Sequence, residues 1–209
     1  GRILLSSAGA FNVNANVVST SGLVTLAAAS TLDIAAGVDI ETAADVSLRT
    51  TSGAILMHGT ATVTAENSAL RIDSADALVV SNLNAMDVSL LSANDITNAS
   101  GSSLNVDADS LRIETLGSVG VAGRHLSADV NTLAVQAGGN LFITNLSAVL
   151  VGPISFSVTE FAANSSTNVI TDATLTDLTA SANGARVLKT LAGGIEVPNV
   201  SALGSGPIV

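Results

Sequence analysis

Pairs of aliphatic residues at alternate positions, each followed by a polar turn, recur about every eight residues along this chain. Ile3-Leu5, Phe11-Val13, Val24-Leu26, Leu32-Ile34, Val46-Leu48 and Ile55-Met57 open the series. Leu70-Ile72, Leu78-Val80, Val88-Leu90, Leu111-Ile113, Leu133-Val135, Leu141-Ile143 and Val149-Val151 continue it. Alternation with period two is a strand signal, because successive side chains leave opposite faces of an extended backbone. Taken in threes, the strands give register points at Ile3, Val24, Val46, Leu70, Val88, Leu111 and Leu133, separated by 21, 22, 24, 18, 23 and 22 residues. The spacing predicts an all-β, three-sided parallel β-helix with about 22 residues per coil, so that 209 residues make about nine or ten coils. At about 4.8 Å per coil the axis would run roughly 45 Å.

Internal echoes support the phasing. Leu78-Val-Val-Ser-Asn-Leu83-Asn-Ala85 reads like Leu141-Phe-Ile-Thr-Asn-Leu146-Ser-Ala148, and Ile195-Glu-Val-Pro-Asn-Val200-Ser-Ala202 repeats it. Leu70-Arg-Ile-Asp73 pairs in the same way with Leu111-Arg-Ile-Glu114. The inward member of each pair is expected to stack on its equivalent in the next coil. Ala65, Ala85 and Ala148 are expected where the interior narrows. Gly9, Gly22, Gly37, Gly53, Asn94, Gly101 and Gly138-Gly139 are expected to supply left-handed corner conformations. Helical i, i+3, i+4 periodicity is absent, and a β-sandwich would lack the echoes. Residues 1–209 therefore read as a single β-helix segment. Its irregular part is 152–177, with Pro153, Phe156, Phe161 and the polar run Asn164-Ser-Ser-Thr-Asn168. A coil with one side looped out is expected there, with Phe filling a wider interior.

Composition narrows the function classes. Hydrophobic residues make up 47%, nearly all Ala, Val, Leu and Ile, with four Phe and no Tyr or Trp. A chain so rich in aliphatics folds rather than staying disordered. No stretch approaches the roughly 18 to 20 apolar residues that cross a bilayer as a helix, and no basic segment followed by a hydrophobic one opens the chain. A soluble chain is expected, and Gly1 in place of Met reads as a processed product or an excised piece. The formal net charge of −10, from 17 acids and 7 bases, argues against nucleic acid and anionic membrane surfaces as partners. Without Cys there is no disulfide framework, thiolate site or zinc ribbon, which suits a bacterial protein exported unfolded.

Candidate chemistry is sparse. His58 and His125 have no second His at ligand spacing and read as solvent-exposed corner residues. Asp73, Asp76, Asp107, Asp109 and Asp129 offer carboxylates. Asp107-Ala-Asp109 places two on one face, but no calcium-binding nonapeptide or EF-hand loop accompanies them. Arg71, Asp73, Arg112 and Glu114 face outward by alternation. They lie two turns apart with Ser89 between them, a placement that serves either a polysaccharide-cleaving cluster or a cross-strand ladder of arginines and acids. Thr60, Thr62 and Thr64 form a row that does not recur at coil spacing. Asn98, Asn145, Asn164 and Asn199 begin glycosylation sequons that composition alone accounts for. No catalytic, metal or cofactor residues are assigned, and no enzyme activity is expected.

Gly22-Leu-Val-Thr-Leu26, Gly53-Ala-Ile-Leu-Met57, Asn94-Asp-Ile-Thr-Asn-Ala-Ser-Gly101 and Ala137-Gly-Gly-Asn-Leu-Phe-Ile143 resemble the repetitive passenger regions of filamentous-haemagglutinin-like bacterial exoproteins. The resemblance reaches to about Val151 and lies in repeat style. It implies a right-handed parallel β-helix in a large secreted or cell-surface protein, serving as stalk, adhesin or fibre. Both chain ends are apolar, Arg2-Ile-Leu-Leu5 and Gly206-Pro-Ile-Val209. Neighbouring coils of a longer parent chain, or identical subunits stacked head to tail, are the expected partners, with host or surface glycans as a further class. A carbohydrate-acting enzyme or a glycan-binding module is the alternative reading.

Overall fold

The alternating pairs form strands, and the strands stack. The computed structural model describes residues 1–181 and 183–198, and no helix occurs among them. The first turn carries β1 (Ile3–Ser7), β2 (Phe11–Val13) and β3 (Val17–Ser19), one strand per face. The second repeats this with β4 (Val24–Ala28), β5 (Leu32–Ile34) and β6 (Asp39–Thr42). In the third, β7 (Val46–Thr50) and β8 (Ile55–Met57) are followed by β9 (Thr62–Ser74), which runs unbroken from the third face into the first face of the next turn. The pattern continues through β10 (Leu78–Val80), β11 (Asn82–Ser92), β12 (Ile96–Asn98), β13 (Val106–Thr115) and β14 (Leu126–Ala137). The seventh turn is completed by β15 (Leu141–Asn145) and β16 (Val149–Val151). A hairpin of β17 (Ile154–Phe161) and β18 (Thr167–Leu175) then leaves the coil, and β19 (Leu178–Thr179), β20 (Arg186–Thr190) and β21 (Ile195–Glu196) lie on the seventh turn.

Pairing between turns is parallel throughout the stack, and the first-face register is the one the spacing predicts. Ile3, Val24, Val46, Leu70, Val88, Leu111 and Leu133 stand in one column. Leu5, Leu26, Leu48, Ile72, Leu90, Ile113, Val135 and Leu178 form the next inward column. From Val24 and Leu26 to Leu133 and Val135 these side chains are fully buried. Each contributes on the order of 1.5 to 3 kcal/mol relative to exposure. The uneven spacings have a local cause. Where β9 meets β11, Ala65 stands opposite Ala85 and Ala69 opposite Asp87, so residues 66–68 bulge against Met86 alone. Asn67 takes φ 55° in that bulge. The bulge lengthens the third turn relative to the fourth, and the fourth is shortened further at the preceding corner, where Val79 to Asn82 stands opposite the longer Leu56 to Thr62.

A second ladder sits at the corner between the first and second faces. Thr50, Ser74, Ser92 and Thr115 are buried, and their hydroxyls donate to corner carbonyls. Ser92 Oγ reaches Asp76 O of the preceding turn at 2.6 Å, and Thr115 Oγ1 reaches Asn94 O in the same way. These bonds satisfy the Gly53, Asp76 and Asn94 carbonyls, which the bend removes from the strand ladder, whereas Ala77 O also accepts from Ile55 N–H.

Several expectations need correction. Among the described residues the solenoid has about seven turns rather than nine or ten; the hairpin takes the residues of one further turn, and 199–209 lie outside the described residues. From first to last rung it spans about 30 Å. Phe156 lies in β17 on the outside of the coil and does not widen its interior. Ala65 and Ala85 are buried as expected, whereas Ala148 is exposed. Leu78 and Leu141 share a column three turns apart, but the column of Leu83 leads through Val106 and Ala128 to Asn145, one residue before Leu146. Ile195 pairs with Val149 instead of continuing the Leu141 column, and Val200 and Ala202 lie outside the described residues. So does the apolar terminus Gly206-Pro-Ile-Val209.

Of the expected corner residues, Gly37 and Gly101 take positive φ. Gly138 serves a different purpose: a Cβ there would lie 2.0 Å from Leu116 O, so the stacked corners touch backbone to backbone.

Candidate functional site

The outward column of the first face reads Leu4, Thr25, Ser47, Arg71, Ser89, Arg112 and Ala134, one residue per turn. Alternation sends these side chains away from the core, yet from Thr25 to Ala134 all are buried, Arg112 completely. The cover is the hairpin, which lies back along the axis over this face as a strap. On β17, Ile154, Phe156, Val158 and Glu160 are buried against the solenoid, while Ser155 and Ser157 face solvent. On β18 the buried position is Asp172, opposite Phe156.

Two carboxylates and the backbone of the strap meet the column turn by turn. Arg71 Nε donates to both Asp172 oxygens at 3.0 and 3.2 Å, and Arg71 Nη2 lies 3.0 Å from Oδ1. Ser89 Oγ donates to Asp172 Oδ2 at 2.8 Å. Arg71 Nη1 turns to Asp73 at 3.0 Å. Arg112 donates through Nε to Ala173 O at 2.8 Å and through Nη2 to Glu114. Nearer the other end, Ser47 Oγ donates to Glu160 Oε1 at 2.7 Å, with Arg49 Nε 3.7 Å from Glu160 Oε2. Thr159 N–H donates to Asp45 Oδ2 at 2.8 Å, and Phe161 N–H donates to Thr25 Oγ1 at 3.0 Å. The Arg2 guanidinium lies 5.7 Å over the Phe161 ring. Fork-shaped guanidinium–carboxylate pairs of this kind are among the stronger and more directional hydrogen bonds.

Arg71, Asp73, Arg112 and Glu114 are thus brought together at the predicted register, with Ser89 between the arginines. They do not form an open cluster. The expected cross-strand ladder is replaced by pairs two residues apart on one strand and by bonds to the strap. The guanidiniums are enclosed, while the side chains of Asp73 and Glu114 are each 41% exposed at its edge.

The other candidates stay apart. His58 pairs with Asp33 at 3.1 Å on the surface. His125, expected to be exposed, is half-buried, with Nδ1 2.9 Å from Thr144 Oγ1 and its ring 5.6 Å from that of Phe142. Asp76 is exposed, with Asn94 Nδ2 donating to it at 3.3 Å. Asp107 and Asp109 share an outward face; Asp107 stands opposite Asp129, and Asp109 accepts from Asn131 Nδ2 at 2.7 Å. No group of three or more His, Asp or Glu converges to hold a metal ion among the described residues. Thr62 lies in a column with Asp39 and Asn82, and Thr64 with Glu41 and Asn84, so the threonine row ends there.

Among the sequons, Asn98 and Asn145 are buried, Asn164 is exposed and Asn199 lies outside the described residues. Asn145 has a structural task. Its Oδ1 accepts from Val130 N–H and its Nδ2 donates to Val130 O, both at 3.0 Å, in place of the strand backbone that the short seventh turn lacks.

The strap is the feature that sequence reasoning missed. Strict alternation from Ile154 to Thr159, then a polar turn, then a second extended run, is a hairpin signal. No family model, curated protein or solved structure matches this chain.

Proposed function

We propose that the chain is a structural segment of a secreted or cell-surface bacterial fibre or adhesin, with further coils covering both ends of its stack. The observation that carries this reading is the state of those ends. Among the described residues, strand β1 pairs with β4 alone, β2 with β5 alone and β3 with β6 alone, leaving three strand edges open. Ile3 and Phe11 are half-buried there and Leu5 is exposed. At the opposite end, among the described residues, β19, β20 and β21 pair toward the seventh turn only, with Leu191, Ile195 and Val197 exposed. Open edges and exposed apolar positions at both ends are what a further coil would cover, whereas free solenoids end in polar caps. The covering coils belong to a longer parent chain or to a second copy stacked head to tail.

Electron microscopy of the purified chain tests this. Rods or filaments well beyond the roughly 30 Å of one stack are the expected result. Dispersed monomers at high concentration, stable to heat, would overturn end stacking.

A further inference from the structure

The strap enters and leaves the solenoid at one strand position. Val151 stands opposite Leu133 and Leu178 opposite Val135, which leaves room for a single residue opposite Ala134. Gly152 N–H donates to Leu133 O at 3.2 Å, and Asp177 O accepts from Val135 N–H at 2.9 Å. In an unbroken parallel strand one residue makes both of these bonds. Residues 153–177 are therefore inserted into a strand that closes without them. The face they cover, Thr25, Ser47, Arg71, Ser89 and Arg112, is polar and would hydrate if the strap were gone. The solenoid does not need the strap in order to be a solenoid.

What the strap adds is connection along the axis. In a bare solenoid each coil is bonded only to its neighbours, so tension at the ends strips coils one after another. The strap is rooted on the seventh turn and bonds separately to Thr25 on the second, Asp45 and Ser47 on the third, Arg71 on the fourth, Ser89 on the fifth and Arg112 on the sixth. Sliding along the axis breaks these bonds together, whereas peeling breaks strand bonds in series. We propose that the strap is a mechanical clamp that makes the second to sixth turns yield to axial tension as one unit. This rests on the fibre reading above and assigns the clamp within it.

Pulling single molecules of the full chain from its two ends tests the clamp without any need for assembly, so its failure is separate from failure of end stacking. The expected record is one event releasing roughly 110 residues, Val24 to Leu133, or about 370 Å of extended chain. A chain lacking residues 153–177, checked for strand content by circular dichroism, is expected to give successive events of roughly 75 Å, one per coil. A Glu160→Gln, Asp172→Asn variant is expected to keep the single event at reduced force, or to break it into coil-sized steps. Coil-by-coil release in the full chain, or one unchanged event in the shortened chain, overturns the clamp. If the shortened chain does not fold, an unchanged rupture force and pattern in the double variant overturns it.

Discussion

At the scale of single residues, the informative position is Asp172. It is the buried residue of β18, while Val169 on the same strand is 68% exposed, so polarity and burial are inverted there. The inversion follows from what lies beneath: a guanidinium fork and a serine hydroxyl rather than aliphatic side chains. Asp172→Ala leaves Arg71 enclosed without its bidentate partner, and a loss of about 3–5 kcal/mol is expected in urea denaturation. Removing Arg71 and Asp172 together is expected to cost less than the sum of the single changes, because neither charge is then stranded. Asp33→Ala, at the surface pair with His58, is expected to cost less than about 1 kcal/mol. Glycines separate by the same physical test. Gly138→Ala drives a methyl into the Leu116 carbonyl and is expected to lower the melting temperature, whereas Gly9→Ala meets nothing within 4 Å and should leave it unchanged.

At the scale of elements, strands and strap are stabilised by different forces. Coil strands are held by backbone bonds above and below and by aliphatic columns within. Among the described residues the strap forms no backbone ladder with the solenoid, and its two strands pair only with each other. It is fixed by side chains, with an apolar row of Ile154, Phe156 and Val158 beside carboxylate and hydroxyl bonds. Its tip is exposed around Asn164 and Ser165, and Ser165 takes φ 65°. A broad-specificity protease is therefore expected to nick the tip before any coil, with far-UV circular dichroism retained and the two pieces remaining together. Early cleavage at coil corners instead would show that the strap is the better protected element. Strand pairs were legible element by element because each carries its own period-two signal. Docking of the hairpin was not, since its bonds join residues 61 to 136 positions apart, from Arg112 with Ala173 to Thr25 with Phe161.

At the scale of the whole molecule, the open ends matter most. Leu5 on β1 is 37% exposed on an edge that, among the described residues, no further strand covers. Leu5→Lys places a charge on that edge, the device natural sheets use against edge-to-edge pairing. It is expected to abolish the proposed end-to-end association in light scattering while leaving the circular dichroism unchanged. Association that persists with the lysine in place would argue that contacts elsewhere join the copies.

The sequence alone determined the solenoid, its first-face register and the outward aim of Arg71 and Arg112. Each of those follows from a period that is local and repeats, so every coil states it again. Tertiary structure decided the number of turns, the burial of both arginines and the partners they take. A non-repeating insertion carries no period to reveal where it lies, and the side chains it covers look, residue by residue, like any solvent-facing column. Only the folded path of 152–177 brings Glu160 and Asp172 onto that column, where burial and charge pairing turn a polar surface into an enclosed interface.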